Sequence, residues 1–380
     1  MEESRESARD ISRRLSRWYR VYKRGLPWRQ TRDPYGVWLS EVMAQQTTIE
    51  IVTPRWERFL RRFPTLEALA HAPERAVLAE WSGLGYYARA QNLHRAAKAI
   101  AAAGAFPNTL EGWRALPGVG AYTAAAVTSI CFGIPEPVVD GNVVRVFCRL
   151  HGLKVDAKAP ATLAKVRALA RPFVPARNPG DHNQALMDLG ALVCTPHAPR
   201  CGACPLRTLC RAAASGKPES FPRTSRRPKP RTIHLVAGIV ERRKKILLVE
   251  DTTLVKGHVC VPMFPVLSGE RPEKFLRSGW ERIARRRVIS LEPVATLRHS
   301  VLDRRYVVSL FTFKEKTSVP SLRRPLAPRG SLPRVRFLSP SQIFRHAHGG
   351  LLLKVLAAWR AHRSMVRRTP DRRALGAHRR

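Results

Sequence analysis

The chain has 380 residues, enough for two or three domains that each bury a core of their own. Lysine and arginine number 68 against 28 aspartate and glutamate residues, which gives a formal net charge of +40. This excess favours a polyanionic partner, nucleic acid ahead of anionic lipid. A membrane span is excluded because no run of about 18 apolar residues occurs.

Residues 1–212 have mainly helical periodicity. Apolar side chains recur at intervals of three and four, as in Trp38, Val42 and Ile49. Short stretches rich in glycine, proline and asparagine separate these segments. The pattern therefore predicts a mainly α-helical first domain.

The stretch "LPGVGAYTAAAV" places Gly118 and Gly120 directly before a predicted helix that starts at Ala121. A Gly-x-Gly turn lets backbone N–H groups converge, and the positive end of the helix dipole points the same way, which suits phosphate binding. A plain helix–helix turn is the alternative. The stretch "WSGLGYYARAQNL" repeats the pattern and adds Tyr86 beside Arg89, a pairing that can stack on bases.

Four cysteines crowd into the loop 194–210, at positions Cys194, Cys201, Cys204 and Cys210. Zinc is the usual competitor for four thiolates, but structural zinc sites commonly pair two Cys-x-x-Cys motifs and this loop has one. A cluster of four irons needs one thiolate per corner and tolerates unequal gaps. The spacing favours [4Fe–4S] over zinc and over disulfides.

The second half of the chain changes character. Residues 213–232 are rich in proline, serine and arginine and are predicted to be an interdomain linker. Short β-branched runs around one candidate helix predict an α+β domain over 233–355. Residues 356–380 are arginine-rich and are predicted to be a basic tail, ordered at most on a polyanion.

With "LPGVGAYTA", "VVDGNVVRV" and the cysteine loop in this order, residues 1–212 resemble the helix-hairpin-helix glycosylases of the endonuclease III superfamily. Within that superfamily, "DPYGVWLSEVMAQQT" and "NQALMDLGALVCT" are similar to the adenine DNA glycosylase (MutY) family. The resemblance implies a six-helix barrel module beside a second helical module that carries the [4Fe–4S] cluster. It also implies a target base that is extruded from the duplex into the cleft between the modules.

Cleavage of an N-glycosidic bond requires an acid for the leaving base and a negative charge near the cationic sugar. Glu41 lies among apolar neighbours, so we expect burial to raise its pKa, unless it is a surface glutamate. Asp140 precedes a predicted helix and is expected to be its N-cap, kept ionised by the helix donors. The resemblance implies that Glu41 protonates adenine N7 and that Asp140 stabilises the sugar cation.

The resemblance assigns further residues. Tyr122 stands where bifunctional relatives carry a Schiff-base lysine, so a monofunctional enzyme is expected. Of the others, Arg29 and Gln184 match residues near the adenine, Asn142 matches a residue near the aspartate, and Gln46 and Tyr86 match residues that fill or wedge the base stack. Tyr86 has a core position as its alternative.

The second domain is expected to resemble a Nudix fold that inspects the base opposite the adenine, usually 8-oxoguanine. The segment "ERPEKFLRSGWERIARRRV" lacks the clustered glutamates that would hold magnesium, so nucleotide hydrolysis is not expected. The loop that follows His299 departs from the family, with Leu302 in place of a hydroxyl-bearing residue. Leucine cannot hydrogen-bond to a base, so reading of the damaged guanine is expected to be weakened or moved to Ser300 or Asp303.

These observations predict a monofunctional DNA glycosylase that hydrolyses adenine from mispairs with 8-oxoguanine or guanine. It is expected to act on double-stranded DNA as a monomer in the cytoplasm, on the nucleoid if the source is bacterial. A thymine mismatch glycosylase of the same superfamily is the alternative. A noncatalytic DNA-binding iron–sulfur protein is the rival of another class.

Overall fold

A computed structural model describes residues 2–223, 230–251, 258–267, 269–284, 286–301, 303–316, 335–339, 342–343 and 350–368. The chain divides into two units, residues 1–80 with 86–226, and residues 81–85 with 227–380. Leu302 lies outside the described residues. Within those residues, no helix combines the length and the apolar character needed to cross a membrane.

The first unit is helical, as predicted. Its helices are α1 (Glu2–Tyr22), α2 (Pro34–Ala44), α3 (Ile49–Arg62), α4 (Leu66–Ala70), α5 (Glu74–Glu80), α6 (Ala88–Ala103), α7 (Leu110–Arg114), α8 (Ala121–Cys131), α9 (Gly141–Leu150), α10 (Pro160–Ala170), α11 (Pro179–Leu192) and α12 (Arg211–Ala214). Short 3-10 turns lie between several of them, including Pro27–Arg29 and Cys201–Ala203.

Side-chain caps and buried aromatic residues fix helix α2. The carboxylate of Asp33 accepts hydrogen bonds from the N–H groups of Tyr35 and Gly36, and Pro34 occupies the first helical position. Trp38 is buried and packs edge-on against Trp113 of α7, with ring centroids 5.8 Å apart. Helix α2 also packs against α3, α6 and α8, so it is enclosed on most sides.

A second group of helices shares a separate core within the first unit. Leu15 of α1, Ala126 of α8, Phe147 of α9, Val166 of α10 and Leu186 of α11 belong to one cluster of buried side chains. Helix α8 packs against α2, α7 and α11, so it connects the two groups. The hairpin that precedes α8 is thereby held between them.

The second unit combines sheets with helices, which confirms the predicted α+β class. Its strands are β1 (Arg231–Ile239), β2 (Glu241–Arg242), β3 (Lys245–Asp251), β4 (His258–Cys260), β5 (Met263–Pro265), β6 (Arg287–Val301), β7 (Arg304–Lys316) and β8 (Val335–Leu338). Its described helices are α13 (Pro272–Ala284) and α14 (Gly350–Arg368).

One sheet has the order β5-β1-β7-β6, in which β1 runs parallel to β7 and the other pairs are antiparallel. A second sheet joins β2, β3 and β4, with β8 on β3. Alternate residues of β1 enter different cores, since Leu235 packs in the cluster with Trp359 of α14, whereas Val236 packs in the cluster with Trp280 of α13. Both faces of the sheet that contains β1 are therefore covered by other side chains.

The predicted linker at 213–232 is too long. Helix α12 includes residues 213 and 214, Phe221 is buried, and Arg223 forms a β-bridge with Asp156 of the first unit. Strand β1 already begins at Arg231. Phe221 is the apolar anchor that the proline- and arginine-rich composition concealed, because its burial holds this segment on the helices.

The basic tail predicted at 356–380 also begins too early. Helix α14 continues through Arg368, and Leu352, Val355, Leu356 and Trp359 on one of its faces are buried. Their spacing of three and four is the helical repeat, which the many arginines masked. Residues 369–380 lie outside the described residues.

Candidate active site and cysteine loop

Glu41 lies in the middle of α2 and is only 8% exposed, so the surface alternative is wrong. The hydroxyl of Tyr122, the second residue of α8, donates a hydrogen bond to Glu41 Oε2 at 2.5 Å. Met187 of α11 places its Sδ 3.6 Å from the same hydroxyl. Side chains of three helices therefore meet at the hydroxyl of Tyr122.

Burial raises the pKa of Glu41 above its ordinary value, as the sequence predicted. The hydrogen bond from Tyr122 and the positive charge of Arg29 oppose this rise, and the charge of Asp140 adds to it. Burial likewise raises the pKa of Tyr122 well above its ordinary value, and the charges of Glu41 and Asp140 contribute. The acidic groups predicted at 41 and 140 thus interact electrostatically within one site.

Asp140 is the N-cap of α9, as predicted. Its carboxylate accepts hydrogen bonds from the N–H of Val143 at 2.7 Å and from the side-chain amide of Asn142 at 2.9 Å. These donors favour the ionised form of Asp140, as the sequence analysis expected. Burial outweighs those hydrogen bonds and raises the pKa of Asp140 above its ordinary value.

Asn142 connects Asp140 to the cysteine loop through Arg145, a residue that the sequence analysis did not single out. The guanidinium of Arg145 donates to Asn142 Oδ1 at 2.9 Å and to the carbonyl oxygen of Cys194 at 2.7 Å. Gly190 of α11 permits this approach, since a Cβ atom there would lie 2.6 Å from the Cβ of Asn142. The start of α9 is therefore locked against α11.

Arg29 belongs to a buried ion cluster centred on Asp188, another residue that sequence reasoning missed. Its guanidinium donates to both carboxylate oxygens of Asp188, at 2.5 and 2.8 Å. Arg24 donates to the same carboxylate through its backbone N–H at 3.1 Å and its Nε at 2.6 Å. The available signal was an aspartate inside the apolar run "NQALMDLGALV", because a buried carboxylate requires a cation.

Arg29 and Gln184 line one cavity of about 120 Å³ in the first unit, so the structure brings these two predicted residues together. Gln184 lies on α11, one helical turn before Asp188, and is 7% exposed. Other lining residues are Thr31, Arg32, Ser129, Ile130, Gly133, Ala176, Asn178, Pro179, Gly180 and Asp181. The cavity is mainly polar and has two arginines in its wall.

Gln46 and Tyr86 share an unusual backbone conformation and an exposed side chain. Both have positive φ, 59° at Gln46 and 47° at Tyr86, and both are exposed, which argues against a core position for Tyr86. Arg89 donates to the carbonyl oxygens of Val42 and Gln45, each at 2.6 Å, and its guanidinium lies 5.4 Å from the Tyr86 ring centroid. Arg89 thus holds the end of α2 beside Tyr86.

The two glycines of the hairpin differ in their surroundings. Gly118 has a φ of +75°, and a Cβ there would lie 2.5 Å from the Cβ of Asn92. Gly120, the N-cap of α8, has a φ of −88°, and a Cβ there would have no neighbour within 4 Å. The first glycine is required by the fold, and the second leaves open space in front of the helix N-terminus.

The four cysteines of the loop line a single cavity, together with Arg149 and Arg207 among others. None of the four is in a disulfide, and each is partly buried. Among the described residues, no group of three or more His, Cys, Asp or Glu side chains converges tightly enough to hold one metal ion. Four thiols that line one cavity are a donor set that fits a multi-iron cluster.

Arg149 is the buried cation of this loop. It is 3% exposed, its Nη1 lies 3.3 Å from Cys194 Sγ, and it also donates to the carbonyl oxygens of Thr195 and Phe221. Burial raises the pKa of Cys204 to about 11, so its thiol stays neutral without a cationic ligand. Binding of a cluster here would therefore release protons.

Comparison with known proteins gives the class. Residues 39–172 match the family model described as "HhH-GPD superfamily base excision DNA repair protein". A solved thermostable thymine-DNA glycosylase is 28% identical, with a TM-score of 0.51, and the match covers 56% of this chain and 98% of that one. The helices, the glycine hairpin and these matches show that this part of the chain has the fold of, and is similar to, helix-hairpin-helix base excision repair proteins.

Two curated relatives named adenine DNA glycosylase indicate which branch of the superfamily this chain resembles. The rat (Rattus norvegicus) relative is 44% identical over 211 residues, which are 53% of this chain and 41% of that protein. The mouse (Mus musculus) relative is 34% identical over 338 residues, covering 76% of this chain and 62% of that protein. The chain therefore spans about half the length of these relatives. Over these stretches it is similar to members of the adenine DNA glycosylase (MutY) family of the helix-hairpin-helix superfamily.

Proposed function

We propose that the protein is a monofunctional DNA glycosylase that hydrolyses the N-glycosidic bond of adenine opposite 8-oxoguanine or guanine. The observation that carries this proposal is the contact between Tyr122 and the buried, protonation-prone Glu41, with Asp140 in the same site. The relatives named adenine DNA glycosylase support adenine as the released base.

Glu41 is the proposed acid. A carboxyl group held neutral by burial can donate its proton to N7 of an extruded adenine, which makes the base a better leaving group. Tyr122 fixes the orientation of that carboxyl group through its hydrogen bond. Arg29 and Gln184, on the wall of the polar cavity, supply hydrogen bonds for the edge of the base.

Asp140 is the residue proposed to stabilise the positive charge on the sugar. Departure of the base leaves positive charge on the sugar ring, and that charge favours the ionised form of a nearby carboxylate. Asn142 and the Val143 N–H hold Asp140 in place. Water then adds to the sugar, and because Tyr122 offers no amine for a Schiff base, the product is an intact strand with an abasic site.

The DNA contacts are assigned from the same geometry. The open N-terminus of α8 at Gly120 suits a phosphate, and the hairpin turn at Gly118 lets the DNA backbone come close to it. The exposed side chains of Gln46 and Tyr86 suit insertion into the base stack. A net charge of +40 supplies nonspecific attraction. We expect a monomer on duplex DNA, located in the cytoplasm or on the nucleoid.

Cys194, Cys201, Cys204 and Cys210 are the proposed ligands of a [4Fe–4S] cluster. Such a cluster would link four points of the loop 194–210 and add redox-active iron beside the DNA-binding helices. Arg149 would donate to the sulfur of Cys194 and fix the loop against α9. The reaction at Glu41 and Asp140 does not use the cluster.

The test is base release by the full-length protein under single-turnover conditions, on duplexes with adenine opposite 8-oxoguanine, adenine opposite guanine, and thymine opposite guanine. We expect free adenine from the first two and strand breakage only after alkali. Glu41→Gln and Asp140→Asn should each slow release by about 10²-fold or more while duplex binding persists. Release of thymine alone, or unchanged rates in both variants, would refute the proposal.

A thymine mismatch glycosylase is the second candidate, because the solved thymine-DNA glycosylase matches 56% of this chain at 28% identity. The duplex with thymine opposite guanine decides between the two. A noncatalytic DNA-binding protein, the remaining alternative, predicts that no base is released from any duplex.

A further inference from the structure

Asp188 is an enclosed carboxylate whose two oxygens are both occupied by arginines. Its side chain has no exposed surface, whereas those of Arg29 and Arg24 are 9% and 27% exposed. Arg29 binds both oxygens, and Arg24 adds its backbone N–H and its guanidinium. Two guanidinium groups share one carboxylate, so this cluster carries a net positive charge.

Arg29 connects this cluster to the proposed chemistry in two directions. It lines the cavity that Gln184 also lines, and its charge acts on Glu41. Its guanidinium also lies 5.7 Å from the ring centroid of Tyr19, so it is held between an aromatic face and Asp188. Without Asp188, nothing in these contacts would fix the guanidinium in a bidentate orientation.

We propose that Asp188 is a positioning residue that holds Arg29 at the cavity wall and cancels part of the positive charge that Glu41 faces. This inference rests on the proposed function, in which Glu41 is the acid. Asp188 acts through Arg29 and Arg24 and does not itself reach the base. Its role is to keep the acid protonated while the base-binding arginine stays close.

The charges around Glu41 determine in which direction Asp188 shifts the protonation of that carboxyl group. The titratable and charged groups that act on Glu41 are Tyr122 of α8, Cys131 at the end of α8, Asp140 before α9, and Arg24 and Arg29. Loss of the negative charge of Asp188 leaves two uncompensated cations, which favour ionised Glu41. Loss of Arg24 leaves a neutral pair of Asp188 and Arg29, which favours protonated Glu41.

The experiment measures single-turnover adenine release from a duplex with adenine opposite 8-oxoguanine, as a function of pH, for Asp188→Asn and Arg24→Gln. We expect the alkaline limb of the rate profile to move to lower pH by about one unit in Asp188→Asn and to higher pH by about half a unit in Arg24→Gln. Asp10→Asn is the matched control, since Asp10 also pairs with two arginines, but these are not the two arginines that act on Glu41.

The outcomes separate the two proposals. A merely structural role for Asp188 would lower the rate at every pH and leave the limb in place, which would overturn this inference. If Asp188→Asn does not fold, Arg24→Gln still decides, because a partly exposed arginine is removed and an unmoved limb contradicts the charge argument. If the wild-type protein releases no adenine at all, the proposed function fails instead.

Discussion

The two hairpin glycines permit a test in which one substitution affects folding and the other affects binding. Gly118→Ala forces a φ of +75° on a residue with a Cβ, which costs about 1–2 kcal/mol. The new Cβ also lies 2.5 Å from the Cβ of Asn92, and overpacking of that kind costs about 1–3 kcal/mol. A combined loss near 3 kcal/mol lowers Tm by roughly 6–12 °C.

Gly120→Ala should behave in the opposite way. Its φ of −88° suits alanine, and the new methyl group meets no atom of the protein within 4 Å, so stability should change by less than about 0.5 kcal/mol. The methyl group occupies the space in front of α8, so affinity for duplex DNA should fall. Thermal unfolding and equilibrium binding at fixed salt measure both effects. A Gly118→Ala protein as stable as wild type, or a Gly120→Ala protein with unchanged affinity, would refute the reasoning.

Three further predictions follow from the site. Tyr122→Phe removes the hydrogen bond that favours ionised Glu41, so the alkaline limb of adenine release should move to higher pH by about one unit. Tyr35→Phe, which removes a hydrogen bond from the helix of Glu41 to the backbone carbonyl of Phe63, should leave the limb in place. Because burial raises the folded-state pKa of Glu41, its contribution to stability is full below the ordinary value of 4.5 and is lost as pH rises through the folded pKa. Glu41→Gln should therefore have a higher Tm than wild type at alkaline pH, with a gap that closes on acidification; a constant gap would contradict this. Cys204→Ser should lose the visible absorption and iron content expected of the cluster, and full retention of both would count against the ligand assignment.

The sequence predicted features that depend on local chemistry. Burial of Glu41 followed from its apolar neighbours, and the cap at Asp140 followed from a carboxylate before a helix. Features that depend on distant partners were not predictable, because Tyr122 and Glu41 are 81 residues apart and no local pattern pairs them. The rise in the pKa of Asp140 was not predictable for the same reason, since burial depends on distant partners and outweighs the local donors.

Composition misled at the end of each unit. Proline and arginine concealed the anchor at Phe221, and arginine concealed the apolar face around Trp359. In both places a few buried side chains decide the structure against the average character of the segment. The apolar residues at helical spacing in the sequence would have predicted α14. The bridge between Asp156 and Arg223 has no local signal in the sequence.

The enclosure of Asp188 has a consequence for how the chain is made. Its partners Arg29 and Arg24 precede it by 159 and 164 residues. A ribosome adds about 5–20 residues per second, so roughly ten to thirty seconds pass before the growing polypeptide can pair those arginines with Asp188. Until then this stretch remains a cationic segment near many RNA phosphates, and the surroundings of the acid are completed only after most of the helical unit has emerged.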